Sequence, residues 1–443
     1  MDVTVKGSSM IRPSQDTPKE RQWISNLDMV ITTYHVPLLF FYKPNGSSDF
    51  FKPQVLKEAL SKTLVPFYPM AGRLGLDENG RLEILCNTEG FTPSSKLRKL
   101  VPTVDYSGDI SSYPLVMAQV ICVCIMLYRQ LETGKLKSFI VVFCLGIVTH
   151  HTLTDGTTAL HFINSWSELA RGLPQISMPP LIDRTLLRPR VPPIPRFHHL
   201  EYDPPPSLNT CMSLGHNNHK PSTVSVFKIT QNQLNTLKAK SWEHGKKTNY
   251  STYTILAAYI WRCATKARGL SYDQPTKLYM PTNGRLRLHP PLPSRYVGNA
   301  MFTASLIALS GNLQSESFVN TLERVHGTLR RMDNEYLRSA LDYLETLPDI
   351  TAARRAPDTF QCPNLNIINW IRLSIHDADF GWGRPIYMGP ANIVHEGKIY
   401  LLPSPTDDGS LSLVACLQTA HIKLFEKHLY EGLMSFDKIK ARY

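Results

Sequence analysis

At 443 residues the chain exceeds the roughly 250–300 residues that one hydrophobic core supports, so two domains are expected. A hydrophobic content of 42% with 19% charged residues excludes a disordered chain. The formal charge of +12 is spread along the sequence, and its densest run, residues 184–196, is threaded with proline. That pattern argues against a nucleic-acid face and suits a small polyanion such as a phosphate-bearing cofactor.

In chain order, residues 26–42 (NLDMVITTYHVPLLFFY) predict a strand, a loop at His35-Val36-Pro37 and a second strand. Residues 53–64 place Val55, Leu56, Ala59, Leu60 and Leu64 near helical spacing behind a proline, which predicts an amphipathic helix. Residues 67–74 read as a turn into a strand, and 81–86 alternate as a half-buried strand does. The stretches 115–127 and 139–150 predict two buried strands; their apolar runs are too short for the roughly 20 residues of a membrane helix, so no span is expected. Residues 157–170 predict a helix, and the proline-rich stretch 171–224, with Pro204-Pro205-Pro206, predicts a linker. Beyond it, helices are expected at 232–240, 253–266, from 316 onward and at 336–344. Strands are expected at 276–280, 300–308, 370–373, 386–388, 398–402 and 411–417, before a closing helix at 421–430. Strands and helices mixed in both halves define an α/β protein. The eight cysteines show no metal-ligand spacing and read as reduced core thiols of a cytoplasmic protein. The polar N-terminus predicts no secretory leader.

The stretch His150-His151-Thr152-Leu153-Thr154-Asp155-Gly156 follows the second of those strands. An imidazole with an unperturbed pKa of about 6.5 can take the proton of a hydroxyl or amine attacking an activated ester and return it to the leaving group. Asp155 either orients that imidazole or holds the turn through an arginine. A histidine and an aspartate at this spacing also arise by chance as ordinary turn residues. The distant stretch Asp379-Phe380-Gly381-Trp382-Gly383 raises the pair above that reading.

Further blocks stand in one order: MIRPSQDTP (10–18), LVPFYPMAGRL (64–74), VPTVDYSGD (101–109), HFINSWSELARG (161–172), YIWRCATKARGL (259–270), YVGN (296–299), YLRSALDYLE (336–345) and IHDADFGWGRP (375–385). With them the chain resembles the plant acyl-CoA-dependent acyltransferases of the BAHD superfamily, in particular the hydroxycinnamoyl-CoA:shikimate/quinate hydroxycinnamoyltransferase branch. The resemblance implies a two-domain α/β fold like chloramphenicol acetyltransferase, with mixed sheets flanked by helices and an active-site channel between the domains. It implies an N-terminal domain at 1–185 bearing HHTLTDG, a crossover at 186–224 and a C-terminal domain at 225–443 bearing DFGWG. His151 would be the general base, Asp155 a structural residue paired with Arg285, and Trp382 an indole donor toward the developing oxyanion. Asp379, Gly381, Gly383 and Arg384 would shape the DFGWG loop. Coenzyme A, a co-substrate rather than a resident cofactor, would be held around Ser251, Thr252, Arg285 and Arg287, with no metal. The acceptor would meet His35, Val36, Phe40, Arg355, Ile368 and Trp370. The resemblance further implies a monomer that transfers p-coumaroyl or caffeoyl directly, without an acyl-enzyme.

The chain departs from the family's pattern on the acceptor side. Where shikimate-using members carry hydroxylated residues, it has Val36, Phe40, Ile368 and Ile371. Each swap leaves a substrate hydroxyl without a partner, at about 1–3 kcal/mol per buried group. Arg355, matching the carboxylate-binding arginine, is kept, with Arg354 beside it. The expected acceptor is therefore shikimate, quinate or, better matched, a phenyllactate-type acid with a less polar body. Residues 128–137 (YRQLETGKLK) replace a compact Cys-Gly-Gly turn and predict an extended hairpin loop. Two other readings use the same residues. One is N-acylation of an aromatic amine or polyamine. The other is a catalytically impaired member acting as a binding protein, because a one-residue slip in 121–149 would turn strand side chains to the wrong face.

Overall fold

The computed structural model describes residues 7–31, 34–48, 50–90, 100–131, 134–209, 220–242, 248–356, 358–391, 393 and 395–434. The chain forms two compact units, each gathered from separate stretches of sequence. The first comprises Met1–Arg188, Leu292–Ala300 and Leu373–Asn392; the second comprises Pro189–Pro291, Met301–Arg372 and Ile393–Tyr443. The DFGWG stretch, expected in the C-terminal domain, therefore belongs to the first unit.

The first unit begins with β1 (Arg21–Trp23) and α1 (Asn26–Met29). Residues 26–29 were expected as a strand. A capping box overrides that pattern: the Ser25 side chain accepts the Asp28 N–H, and the Asp28 carboxylate accepts the Ser25 N–H. Next comes β2 (His35–Tyr42), which runs through the expected His35-Val36-Pro37 loop as strand. Pro37 is tolerated because its carbonyl, and hence its nitrogen, faces Ala391 just past the end of a neighbouring strand, where the ladder needs no donor. Helix α2 (Pro53–Thr63) has proline in its first turn and buries Leu56, Ala59 and Leu60 on one face. Strands β3 (Arg73–Leu76) and β4 (Leu82–Leu85) pair, and β1 joins β4 in a three-stranded sheet.

The long strands β5 (Val116–Leu131) and β6 (Gly134–His150) form an antiparallel ladder from Val116↔Thr149 to Leu131↔Gly134 with no break in register. Residues 128–131 and 134–137, expected as loop, are thus strand. Backbone ladder bonds need no apolar side chains, so a polar sequence extends the hairpin as readily as an apolar one. Helix α3 (Gly156–Ala170) follows, N-capped by Asp155, whose side chain accepts the Thr158 N–H.

The second unit contains β7 (Ser222–Ile229), α4 (Gln231–Lys240), α5 (Thr252–Arg268), β8 (Pro275–Asn283), β9 (Met301–Leu309), α6 (Ser310–Ser315), α7 (Phe318–Arg330), α8 (Asn334–Thr346) and β10 (Leu365–Asn369). Strand β11 (Tyr387–Pro390) lies in the first unit and completes its sheet in the order β11-β2-β6-β5. Strands β12 (Lys398–Pro403) and β13 (Leu411–Gln418) and helix α9 (Ile422–Glu431) close the second unit. Its six strands run in the order β7-β13-β12-β10-β8-β9, with β10 parallel to both neighbours and the other pairs antiparallel. The expected strand at 370–373 is displaced: the strand ends at Asn369, and Trp370 follows it with its N–H on the Leu401 carbonyl.

The expected linker is in part a fastened strap. Asp342 on α8 accepts the Arg190 and Ile194 N–H groups at 2.8 and 3.0 Å and pairs with the Arg190 guanidinium at 2.6 Å. The Ser339 hydroxyl accepts the Arg196 N–H at 2.8 Å. Composition marks such a stretch as irregular without revealing that its backbone donors have partners waiting on a helix.

Gly146 on β6 marks a close approach, because a β-carbon there would stand 2.2 Å from the Leu100 carbonyl oxygen. Gly146→Ala is expected to cost about 1–3 kcal/mol by overpacking. The urea midpoint reads this, and an unchanged midpoint would show that residues 100–101 move aside freely.

Candidate active site

The end of β6 builds the histidine turn. His150 lies opposite His35 in the ladder, and its N–H bonds the Leu115 carbonyl at 2.8 Å. His151 leaves the strand with its N–H on the Tyr34 carbonyl at 3.1 Å. The chain then turns, Leu153 N–H meeting the His150 carbonyl at 3.0 Å, and enters α3 at Asp155. Asp155 is buried. One of its oxygens accepts the Thr158 N–H at 2.9 Å and the other the Ala300 N–H at 3.0 Å. Its carboxylate points into the helix start and the 292–300 segment.

The half-buried His151 imidazole places Nδ1 3.1 Å from the Thr154 carbonyl oxygen. A carbonyl can only accept, so Nδ1 carries the proton and the neutral ring has its lone pair on Nε2. His151 is thereby held in the tautomer a base requires. His35 is arranged differently. Its Nε2 lies 2.7 Å from the Pro114 carbonyl and its Nδ1 2.7 Å from the Tyr106 hydroxyl, which also accepts the His35 N–H at 2.9 Å. Both ring nitrogens are satisfied by protein, and burial lowers the imidazole pKa to about 4. His35 therefore stays neutral and turns no free ring nitrogen toward an acceptor. Phe40 is fully buried in the sheet, whereas Val36 is half-exposed.

A buried carboxylate lies under the turn. Asp28 Oδ1 accepts the Asn299 N–H at 3.1 Å and its Nδ2 at 2.8 Å, and it pairs with Arg184 Nη1 at 3.2 Å. Asn299 Nδ2 also reaches the carbonyls of His151 and Thr152 at 2.9 and 3.2 Å, while Arg184 Nη2 donates to that of Leu153 at 2.7 Å. The motif's spacing carried no sign of these three residues. The one local signal was the Ser25-x-x-Asp28 capping pattern, which the expected strand at residues 26–29 passed over.

At the other end of β2, Tyr42 donates its hydroxyl to the Ala378 carbonyl at 2.7 Å. There Asp379 Oδ1 accepts the N–H groups of Gly381 and Gly383 at 2.8 and 2.9 Å. Both glycines have φ of +94°, a left-handed conformation that side chains disfavour. Trp382 between them is stacked on Phe51 at 4.4 Å and Phe380 at 5.6 Å, with Tyr42 and Phe50 edge-on or tilted against it. Asp379 pairs with Arg171 at 3.7 Å, and Arg384 with Asp377 at 3.2 Å.

In the second unit Ser251 N-caps the 17-residue helix α5, its hydroxyl accepting the Thr254 N–H. Thr252 lines a depression of about 260 Å³ together with Lys238, Ile371, Ser404, Asp407 and Ser410. A helix N-terminus beside a lysine favours an anionic group. Arg285 is buried, with its Nη1 and N–H on Asn283 Oδ1 at 3.4 and 3.0 Å. Arg355 donates to the Thr303 hydroxyl, and the Tyr202 and Tyr279 rings stand near it; burial lowers its pKa. Ile368, next to last in β10, is half-exposed, and the Trp370 ring packs edge-on against Tyr400 at 5.2 Å.

The Transferase family's sequence profile matches residues 1–432 of the chain. The chain is 50% identical to the shikimate O-hydroxycinnamoyltransferase of Nicotiana tabacum over 97% of its own length and 100% of that protein's. It is 44% identical to a hydroxycinnamoyl-CoA:5-hydroxyanthranilate N-hydroxycinnamoyltransferase of Avena sativa, over 96% and 99%. The chain belongs to the BAHD transferase family. The crystal structure of vinorine synthase shares the fold, with a TM-score of 0.67, 20% identity and coverage of 94% of this chain and 95% of that one. The two-domain α/β fold of these acyltransferases is therefore the fold of this chain.

One role implied by the BAHD resemblance is corrected by the geometry. Trp382 packs beside Tyr42, whereas His151 follows the residue opposite His35, seven positions along β2. At about 3.3 Å per residue that is roughly 23 Å, beyond any indole N–H bond to an oxyanion at His151. Trp382 is the keystone of an aromatic cluster instead. Arg287 spends Nη1 on the Leu329 and Met332 carbonyls at 3.0 and 2.8 Å, which caps the C-terminal end of α7. Arg384 pairs with Asp377, and Asp379 with Arg171.

The depressed His35 pKa sets a pH dependence. Below the unfolded value near 6.5 the unfolded chain binds a proton that the folded one refuses until about 4, so stability falls as pH drops through that window. His35→Gln is expected to flatten the loss between pH 6.5 and 4.5, read by urea unfolding at both. An unchanged slope would place the titration elsewhere.

Proposed function

We propose that this BAHD transferase moves a hydroxycinnamoyl group from coenzyme A to the hydroxyl of a small carboxylated acceptor. The observation that carries the reading is the His151 ring, whose Nδ1 is committed to the Thr154 carbonyl so that Nε2 is basic. Nε2 takes the acceptor's hydroxyl proton as that oxygen attacks the thioester carbonyl. The tetrahedral intermediate then expels the coenzyme A sulfur, which recovers the proton from the imidazolium, leaving an ester and free thiol. Asp155 holds the turn and the helix start without touching the reacting atoms.

For the coenzyme we favour the second-unit surface at Ser251, Thr252 and Lys238, where a helix N-terminus and an ammonium suit phosphate. Arg285 remains in that proposal. For the acceptor, Arg355 supplies a cation for a carboxylate, while Val36 and Ile368 offer apolar contact where a polyhydroxylated ring would want partners. The Avena sativa relative, named for N-acylation, keeps an amine acceptor as the second reading, and the same base serves it.

The test is thiol release from p-coumaroyl-CoA with shikimate, quinate, a hydroxyphenyllactate and an aromatic amine. His151→Ala is expected to lower turnover by about 100-fold or more with an unchanged unfolding midpoint; retained turnover would remove His151 as base. Asp155→Ala is expected to lower both. Val36→Thr with Ile368→Thr is expected to raise the preference for shikimate over hydroxyphenyllactate by about tenfold or more, at 1–3 kcal/mol per hydroxyl regained. An unchanged ratio would end the apolar-acceptor reading.

A further inference from the structure

We infer that Asp28, Arg184 and Asn299 are positioning residues that select the tautomer of His151, an assignment that rests on the reading of His151 as the base. Between His151 and α3 the backbone makes no regular ladder, yet it is buried at Thr152, Leu153 and Thr154. Each carbonyl there needs a donor. Those of His151 and Thr152 are met by Asn299 Nδ2 at 2.9 and 3.2 Å, and that of Leu153 by Arg184 Nη2 at 2.7 Å. The next carbonyl, Thr154, receives the His151 imidazole at 3.1 Å. Three successive peptide planes are thus fixed by two side chains, so that the fourth presents its oxygen to the ring.

Both side chains depend on one carboxylate. Asp28 is fully buried on α1, with Oδ2 accepting the Ser25 N–H and hydroxyl at 3.0 and 2.7 Å. Its Oδ1 accepts Asn299 Nδ2 at 2.8 Å and ion-pairs with Arg184 Nη1 at 3.2 Å. Arg184 is itself 4% exposed. Removing the Asn299 amide frees the His151 and Thr152 carbonyls, lets the turn rotate and takes the Thr154 carbonyl from Nδ1. The imidazole proton can then settle on Nε2, and a ring protonated there has no lone pair for the acceptor's hydroxyl. The consequence falls on the chemical step rather than on substrate binding.

The experiment uses the full chain labelled with ¹⁵N-histidine, with steady-state kinetics beside it. Wild type is expected to show His151, assigned by its loss in His151→Ala, as the Nδ1–H tautomer. Asn299→Ala is expected to convert much of that signal to Nε2–H and to lower kcat by about 100-fold, with both KM values within about twofold of wild type. Asp28→Asn or Arg184→Met alone strands a buried charge and is expected to lower the unfolding midpoint. The double variant Asp28→Asn/Arg184→Met removes both charges, and is expected to restore folding while the tautomer stays mixed. Asn299→Ala or the double variant with the Nδ1–H tautomer and wild-type kcat would overturn the inference. A wild-type chain without turnover whose tautomer still switches in Asn299→Ala would sink the acyl-transfer reading and support the positioning role.

Discussion

The first unit depends on one buried carboxylate. Asp28 caps the short helix that carries it, neutralises Arg184 and orients Asn299, so it draws together residues from near 28, 184 and 299. In a low-dielectric interior an unpaired charge is intolerable, and removing one partner of such a pair costs about 3–5 kcal/mol. The 292–300 segment is thereby tied to the first unit although its flanking sequence belongs to the second.

The β2–β6 ladder separates two tasks that stand together in the sequence pattern. At one end it delivers His150 and His151; at the other it abuts an aromatic cluster built on Tyr42, Phe51, Phe143 and Trp382. The DFGWG stretch is rigid because one carboxylate oxygen serves two glycine N–H groups and both glycines hold a left-handed backbone. Its rings are buried and its loop leads into β11, which completes the sheet. DFGWG thus packs onto the frame that carries β6. The unbroken β5–β6 register keeps the polar extension of that hairpin from disturbing the frame, since lengthening the hairpin at its tip leaves the pairing at its base unchanged.

Histidines in this unit show how environment divides one residue type among tasks. His35 has both nitrogens bound and a pKa near 4, so burial makes it a neutral strut. His150 is fully buried, with Nδ1 accepting the Thr152 N–H at 3.3 Å. His151 is half-buried and binds through Nδ1, the arrangement that leaves basicity on the outer nitrogen. His150 ends the strand and His151 begins the turn, so the two face different surroundings.

The sequence by itself determined the family, the α/β class and most of the helices and strands, and it singled out His151 and Asp155 as candidates. Those features are local: periodicity, caps and short motifs express interactions between near neighbours along the chain. Tertiary structure alone decided the rest. Residues 26–29 form a helix because a two-residue cap outweighs an apolar pattern, and the polar residues at 128–131 and 134–137 are strand because ladder bonds ignore side-chain polarity. Trp382 lost its expected role because strand register sets where a side chain can reach. Asp28, Arg184 and Asn299 could not have been chosen from the sequence, because their contacts close loops of more than a hundred residues, and no local pattern records which distant charge will be buried against which.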